Sequence, residues 1–220
     1  MCGISKSSFL AVGAGAILAG LALAPVASNA WAGEKTGAKP GAKPSAATSN
    51  KLAVGSKAPE FFPSKWIKGE PVKSFAQGKV YVVEFWTTWC PPCRESIPHL
   101  TEFQKQFKDD VTIIGMASSE RVGADGKDDR FNKASKFVKD QGDKMNYRVA
   151  FEADQKVSKA WLGAAGVDYI PAAFIVGGDG KIVWFGNPLE PAFEKNLTTA
   201  VEALKADDKS TKKSSDSEKH

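Results

Sequence analysis

Two cysteines, Cys90 and Cys93, are separated by two prolines in the segment WTTWCPPC. Thiols at this spacing could form a structural disulfide, contribute half of a metal site, or exchange electrons as a redox pair. A disulfide between them would close too short a loop to stabilise much of a fold. Zinc sites need about four ligands, and only His99 lies nearby, because the other histidine is His220 at the end of the chain. The residue types therefore favour redox chemistry and predict no metal site.

The elements predicted around the pair support this interpretation. Val80 to Trp86 is a continuous run of apolar and β-branched residues, typical of a strand buried on both faces. Apolar residues at helical spacing follow from Cys90 to Lys108. Cys90 would then lie at a helix N-terminus, where unpaired N–H groups stabilise the attacking thiolate. Cys93, in the first turn, would be close enough to attack a mixed disulfide and release the substrate.

The residues between and before the cysteines are candidates for substrate contact. Pro91 and Pro92 stiffen the connection and are compatible with a helix start. Trp89 is expected to form an apolar rim beside the pair, whereas Trp86, inside the predicted strand, is expected to pack in the core.

The rest of the central sequence alternates strand and helix patterns. A run of four residues, Gly177 to Gly180, separates AAFIV from KIVWFG and predicts a hairpin. The other predicted elements are two strands and three helices: Val111 to Met116 and Tyr147 to Phe151, then Arg130 to Asp140, Val157 to Leu162 and Pro191 to Leu204. This order predicts an α/β layer structure with a mixed sheet.

The N-terminus predicts export. Residues 1–32 contain one positive charge, Lys6, followed by an apolar run from Phe9 to Ala27 and small residues, which together are typical of a secretory signal peptide. The alternative is an uncleaved membrane anchor, for which the run is slightly shorter than the usual ~20 residues. Either way, the domain is expected in a periplasmic or other extracytoplasmic compartment, where disulfides persist. Cleavage would remove Cys2 and leave Cys90 and Cys93 as the remaining cysteines.

Composition divides the remaining chain into three parts. Residues 33–51 repeat Gly-Ala-Lys-Pro and predict a flexible linker. Residues 52–204 form the predicted domain, and residues 205–220 are apolar-poor and predict a disordered tail. The formal net charge of +5 is scattered along the chain, which favours solubility over nucleic-acid binding.

Several motifs resemble those of the thioredoxin superfamily. VVEFWTTWCPPC is similar to its active-site strand and turn. Together with APEF at residues 58–61, GKVYVVEFW and IPAAFIVGGDGKIVWFG, it gives residues 54–204 a resemblance to the exported TlpA/ResA-like branch, related to redoxin and AhpC/TSA proteins. The resemblance implies a thioredoxin fold: a central mixed β-sheet flanked by helices, with an N-terminal β extension. It also implies that Cys90 is the nucleophile and Cys93 the resolving cysteine.

The resemblance assigns roles to three further residues. Ile170 and Pro171 match the cis-proline loop, which would face the cysteines and present backbone to an extended substrate; the alternative is a trans bond in an ordinary turn. Glu84 matches a buried acid, and a buried carboxylate is costly unless it is neutral or used. We expect Glu84 to shuttle a proton to Cys93, the alternative being a Glu at a polar edge or paired with a Lys. The loop departs from many relatives in carrying alanines after Pro171.

These expectations combine into an exported, monomeric thiol–disulfide oxidoreductase, working as a reductase and needing no cofactor beyond its own disulfide. The resemblance implies exported proteins as substrates, with apocytochrome c a candidate, and a membrane thiol carrier as electron donor. Two alternatives stay open. A peroxiredoxin-like thiol peroxidase is suggested by Thr87, which precedes Cys90 by three residues. A non-catalytic binding or metallochaperone module would use the same fold, with His99 as its extra ligand.

Overall fold

The computed structural model describes residues 51–217 of the 220-residue chain. The predicted signal peptide and all but the last residue of the predicted linker lie outside this range. Within it, no helix combines the length and apolar character needed to cross a membrane.

Six strands, β1 to β6 in chain order, form the centre of the domain: Lys65–Lys68, Val80–Trp86, Val111–Ala117, Arg148–Phe151, Ala172–Val176 and Ile182–Gly186. They pair in one mixed sheet in the order β1-β4-β3-β2-β5-β6. β2, β3 and β4 are parallel to one another, whereas β1 is antiparallel to β4, β5 is antiparallel to β2, and β6 is antiparallel to β5. The predicted thioredoxin fold with a mixed sheet is confirmed, and β1 supplies the N-terminal extension.

Helices cover both faces of this sheet. The four α-helices, α1 to α4, are Pro91–Gln106, Arg130–Gln141, the short Lys156–Ser158 and Pro191–Ser217. A 3₁₀ turn, Gly142–Met145, follows α2, and a π-helical turn, Lys159–Gly163, continues α3.

Alternation along β2 divides the core in two. Val80, Val82 and Trp86 face a cluster formed with α1, α2 and α4. Tyr81, Val83 and Phe85 face the opposite cluster, which contains Trp161 and residues of the segment before β2. Every residue of β2 is buried, and its apolar pattern, interrupted by Glu84, is explained by helices packing on both faces.

The last helix is longer than predicted. α4 continues to Ser217, so the predicted end of this helix at Leu204 is wrong. The sequence after Leu204 contains no Gly or Pro to end a helix. Lys205 also forms an ion pair with Asp110 at 2.9 Å, which connects the extension to the loop before β3.

Candidate functional site

The cysteine pair lies at the start of α1, just after the short connection from the end of β2. Cys90 is the N-cap of α1, and it forms a disulfide with Cys93 across a Cα–Cα distance of 5.3 Å. The backbone N–H of Cys93 donates to Cys90 Sγ at 3.2 Å. Cys90 keeps 4% of its surface exposed and Cys93 none. A substrate can therefore reach Cys90 first, which fits the predicted order of attack.

The prolines of the motif change the chemistry expected at this helix end. Pro91 and Pro92 occupy the first two helical positions, N1 and N2, and both are exposed. Because proline has no N–H, Pro92 at N2 lacks the donor that an N-cap sulfur could otherwise accept from. The Cys93 N–H, at the third helical position, remains to support the sulfur.

The predicted cis-proline loop lies directly against Cys90. The Ile170–Pro171 peptide bond is cis, and the carbonyl oxygen of Ile170 is 3.8 Å from Cys90 Sγ. Ile170 is half-buried and Pro171 is buried. The structure thus brings this loop and the pair together across 80 residues of sequence, and substrate contact by the loop stays a prediction.

Glu84 is fully buried in the middle of β2, on the face that carries α1. Burial raises the pKa of its carboxyl from 4.5 to about 8, and a hydrogen bond with Ser96 opposes this by a smaller amount. Glu84 Oε2 has no hydrogen-bond partner among the described residues. The environment therefore favours the neutral acid at pH 7, and the alternatives of a polar edge or a Lys partner do not apply.

Ser96 connects this acid to the resolving cysteine. Its Oγ lies 3.2 Å from Glu84 Oε1 and 2.8 Å from the carbonyl oxygen of Cys93. A hydroxyl has one proton to donate, so it cannot donate to both oxygens at once. If Glu84 is protonated, the acid donates to Ser96 Oγ and Ser96 donates to Cys93, which satisfies both contacts. The geometry thus agrees with a neutral Glu84.

Trp89 forms one wall of an open groove beside the pair. Trp89 is 39% exposed, and the groove, of about 320 Å³, extends from it along the π-helical turn to Ile170. Trp86 is completely buried in the core, as predicted. The two tryptophans, three residues apart, thus have opposite environments.

Three residues close to the site escaped the sequence analysis. Ser96 lies three positions after Cys93, a spacing that places both on one helical face. Glu120 accepts hydrogen bonds from Thr88 N at 2.6 Å and Thr88 Oγ1 at 2.8 Å, and Arg121 covers the Trp89 ring. Both follow β3, and the carboxyl ends of the adjacent parallel strands β2 and β3 meet at one edge of the sheet, which is the signal that could have indicated them.

His99 does not join the site. It is exposed on α1 and lines a separate groove with residues from the start of α4. Among residues 51–217, no group of three or more His, Cys, Asp or Glu side chains is arranged to hold a metal ion.

Comparison with known proteins gives related sequences for the same region. The Redoxin family model matches residues 53–201. Protein FixW of Rhizobium leguminosarum is 31% identical over 140 residues, which cover 63% of this chain and 62% of FixW. Thiol-disulfide oxidoreductase ResA of Bacillus thuringiensis (strain Al Hakam) is 29% identical over 139 residues, covering 62% of this chain and 71% of ResA.

Solved structures agree with these sequence relatives. A thiol:disulfide interchange protein of the thioredoxin family from Chlorobium tepidum TLS has a TM-score of 0.52 at 27% identity, covering 66% of this chain and 96% of the other. A thiol:disulfide interchange protein from Bacteroides sp. has a TM-score of 0.51 at 26% identity, covering 68% and 89%. Since the family model spans more than half of the sequence, the chain belongs to the Redoxin family, and its described domain is that of a thiol–disulfide oxidoreductase.

Proposed function

We propose that the protein is exported and reduces disulfides in other exported proteins through Cys90 and Cys93. The observation that carries the proposal is the unequal placement of the two cysteines. Cys90 reaches the surface beside Ile170, whereas Cys93 is enclosed behind it, next to Ser96 and Glu84. This difference in exposure supports the proposed roles, in which Cys90 meets the substrate and Cys93 completes the exchange.

The exchange requires two successive attacks. The Cys90 thiolate attacks one sulfur of the substrate disulfide, forming a mixed disulfide and releasing the other substrate sulfur as a thiolate. Cys93 then attacks Cys90 Sγ, which forms the Cys90–Cys93 disulfide and releases the second substrate thiolate. Two electrons pass from the pair to the substrate, and the two substrate thiolates take up the protons that Cys90 and Cys93 have lost.

Glu84 is proposed to accept the proton that Cys93 loses when it attacks the mixed disulfide. Cys93 is fully buried, so bulk water does not reach its thiol easily. In its ionised form Glu84 can accept that proton as Cys93 attacks, and its pKa of about 8 keeps the two forms close in free energy near neutral pH. Ser96 holds the carboxyl next to the turn that carries Cys93.

The prolines support the reducing direction. A strongly oxidising pair owes its potential to a stabilised reduced form, in which the thiolate receives several donors. Here Pro92 removes one of the two donors, N2 and N3, that an N-cap side chain can accept from at the start of α1. The Cys90 thiolate is therefore less stabilised than at an ordinary helix N-terminus, which favours giving electrons away.

Export and the partners are proposed on separate grounds. Export relies on the signal-like residues 1–32. Exported proteins as substrates, apocytochrome c among them, and a membrane thiol carrier as electron donor are proposed from the resemblance to the TlpA/ResA-like branch. The related proteins named thiol-disulfide oxidoreductase ResA and thiol:disulfide interchange protein support the general class of reaction.

The reduction potential tests the direction. After equilibration of the domain with a glutathione series, we expect a potential more negative than that of the glutathione couple. Pro92→Ala restores the N–H that an N-cap side chain can accept. This variant should have a less negative potential, by roughly 30 mV for about 1.4 kcal/mol of added thiolate stabilisation. A wild-type potential at or above that of glutathione would contradict the reductase proposal.

The alternative of a thiol peroxidase receives no support from Thr87. This side chain is fully buried, and its Oγ1 has no hydrogen-bond partner in the described part of the chain. A peroxidatic threonine would instead contact the cysteine sulfur. Peroxide consumption with a thiol donor separates the two activities, and failure to reduce insulin together with stable copper binding would favour the metallochaperone alternative.

A further inference from the structure

Three consecutive residues after β3 hold the segment that leads to Cys90; we call Ser119, Glu120 and Arg121 the β3 clamp. The Glu120 carboxylate accepts from Thr88 N at 2.6 Å and from Thr88 Oγ1 at 2.8 Å. The indole N–H of Trp89 donates to the Ser119 carbonyl oxygen at 3.3 Å. The Arg121 guanidinium lies 4.0 Å from the centre of the Trp89 ring. Trp89 is thus fixed by its edge and by one face.

The clamp leaves a positive charge at the surface. Glu120 is only 7% exposed, and both of its oxygens are occupied by Thr88. Arg121 is exposed and takes part in none of the ion pairs seen among the described residues. A guanidinium stacked on a ring keeps its N–H groups in the plane free, where they can bind a carboxylate through two hydrogen bonds.

The groove next to Trp89 continues this surface. It begins at Ile170, whose carbonyl oxygen is 3.8 Å from Cys90 Sγ, and its apolar wall includes Leu162 and Tyr169. Two charged side chains line it, Lys159 and Asp168, both exposed. Lys159, like Arg121, forms none of the ion pairs found among the described residues.

Charged side chains of both signs surround Trp89. Arg121 and Lys159 are cationic and available, whereas Asp168 is the one carboxylate among the residues lining the groove and Glu120 is held by Thr88. On the helix side, Arg94 donates to the Thr88 carbonyl oxygen at 3.1 Å and so faces the same turn, and the exposed Glu95 follows it on α1. The formal charges around the turn balance, but Arg121 lies directly over the Trp89 ring and forms none of the ion pairs found among the described residues. A substrate approaching Cys90 over Trp89 therefore meets this unpaired guanidinium.

We propose that this face selects disulfides that have an acidic residue next to the reactive cysteine. The substrate carboxylate binds Arg121 above Trp89, and a neighbouring apolar side chain enters the groove against Trp89 and Leu162. The inference depends on the proposed function, since it names the substrate class of the same site. Because the clamp fixes Arg121 and Trp89 before binding, little conformational entropy is lost when the substrate arrives.

A pair of disulfide peptides tests this selection. The two peptides differ only by Asp or Asn beside the reactive cysteine, and each rate of reduction by the reduced domain is divided by its rate with dithiothreitol. We expect the Asp peptide to be reduced about three times faster, which is the size of an exposed ion pair. The ratio should fall toward one as salt is added. Arg121→Gln should bring it near one, and Arg121→Glu should invert it.

The control variant is Lys105→Glu, which makes the same change of charge in the last turn of α1. Lys105 is about 20 Å from the start of the helix, well beyond the screening length of about 8 Å at physiological salt, so the wild-type ratio should be kept. Equal rates for both peptides, or a wild-type ratio in Arg121→Glu, would overturn the inference while leaving the proposed function standing. If neither peptide were reduced, the proposed function itself would be contradicted.

Discussion

At the scale of single residues, the site depends on environments that differ sharply over a few positions. Glu84 and Trp86 lie inside the core, whereas Trp89, three residues further along, stands at the surface. One helical turn also separates Cys90, which keeps 4% of its surface exposed, from Cys93, which keeps none. The chemistry of each side chain follows from these differences in burial, because desolvation shifts acids toward their neutral form.

Glu84→Gln should make the domain more stable at high pH. The folded-state pKa of Glu84 is about 8 and its ordinary value is 4.5. Between these values the folded state binds more protons than the unfolded state, so the wild-type free energy of unfolding falls as pH rises. Gln does not titrate, so the free energy of unfolding of the variant does not fall in this way. The difference in free energy of unfolding between the variant and the wild type should therefore grow, in favour of the variant, by up to about 5 kcal/mol between pH 4 and pH 9. Urea denaturation of the oxidised domain across this range measures it.

The same variant has a kinetic consequence. If Glu84 accepts the proton of Cys93, release of substrate from the mixed disulfide should be slower in Glu84→Gln and should lose its inflection near pH 8. Glu102→Gln, at an exposed position further along α1, is the control for both measurements. An unchanged pH–rate profile in Glu84→Gln would reject the shuttle, and a pH-independent stability difference would reject the buried neutral acid.

At the scale of elements, the site is the junction of β2, α1 and the loop after β3. β2 pairs with β3 in parallel, so both strands end at the same edge of the sheet, and Ser118 N donates to the Trp86 carbonyl oxygen at 3.0 Å. The β3 clamp then holds Thr88 and Trp89. The position of Cys90 thus depends on a loop 30 residues away in sequence from Trp89.

Glu120→Ala should weaken this junction. It removes two charge-assisted hydrogen bonds and leaves Thr88 N and Oγ1, which are half-buried, without their acceptor. We expect the free energy of unfolding to fall by about 2 kcal/mol, measured by urea denaturation. Glu102→Ala, an exposed position on α1, should change it by less than ~0.5 kcal/mol. Equal effects for the two variants would show that the clamp does not stabilise the turn.

At the scale of the whole molecule, Trp161 packs between the sheet and the segment that precedes β2. The ring is completely buried and contacts Phe85 and Phe174 of the sheet as well as Phe61 and Phe75 before β2. Its indole N–H donates to the Glu60 carbonyl oxygen at 3.4 Å. The second hydrophobic cluster is therefore organised around this one side chain.

Trp161→Ala should accordingly destabilise the domain by about 3–5 kcal/mol, the usual cost of deleting a buried large aromatic residue. The segment before β2 should also become sensitive to proteolysis, because its aromatic contacts are lost. Trp161→Phe keeps a ring in the cluster, so its free energy of unfolding should fall clearly less than that of Trp161→Ala. A loss in Trp161→Ala no larger than in Trp161→Phe would show that the cluster does not depend on the indole.

Much of the fold could be predicted because patterns in short stretches of sequence indicate its strands, helices and hairpin. The apolar run of β2, the hairpin at residues 177–180 and the helical spacing in α1 are all signals contained in a few neighbouring residues. The end of α4 could not be placed, since apolar periodicity stops at Leu204 while the helix continues to Ser217. Ser96 and Glu120 were missed for another reason: their partners are chosen by packing and not by sequence spacing alone.

By itself the sequence determined the chemistry of the cysteine pair. Two thiols separated by prolines, after a buried strand and before a helix, already predict a two-electron disulfide exchange and indicate Cys90 as the attacking sulfur. The tertiary structure decided what surrounds WTTWCPPC: the neutral form of Glu84, the exposure of Trp89, and Arg121 over its ring. Burial and contacts between distant segments set these properties, and both exist only once the sheet has brought its strands together.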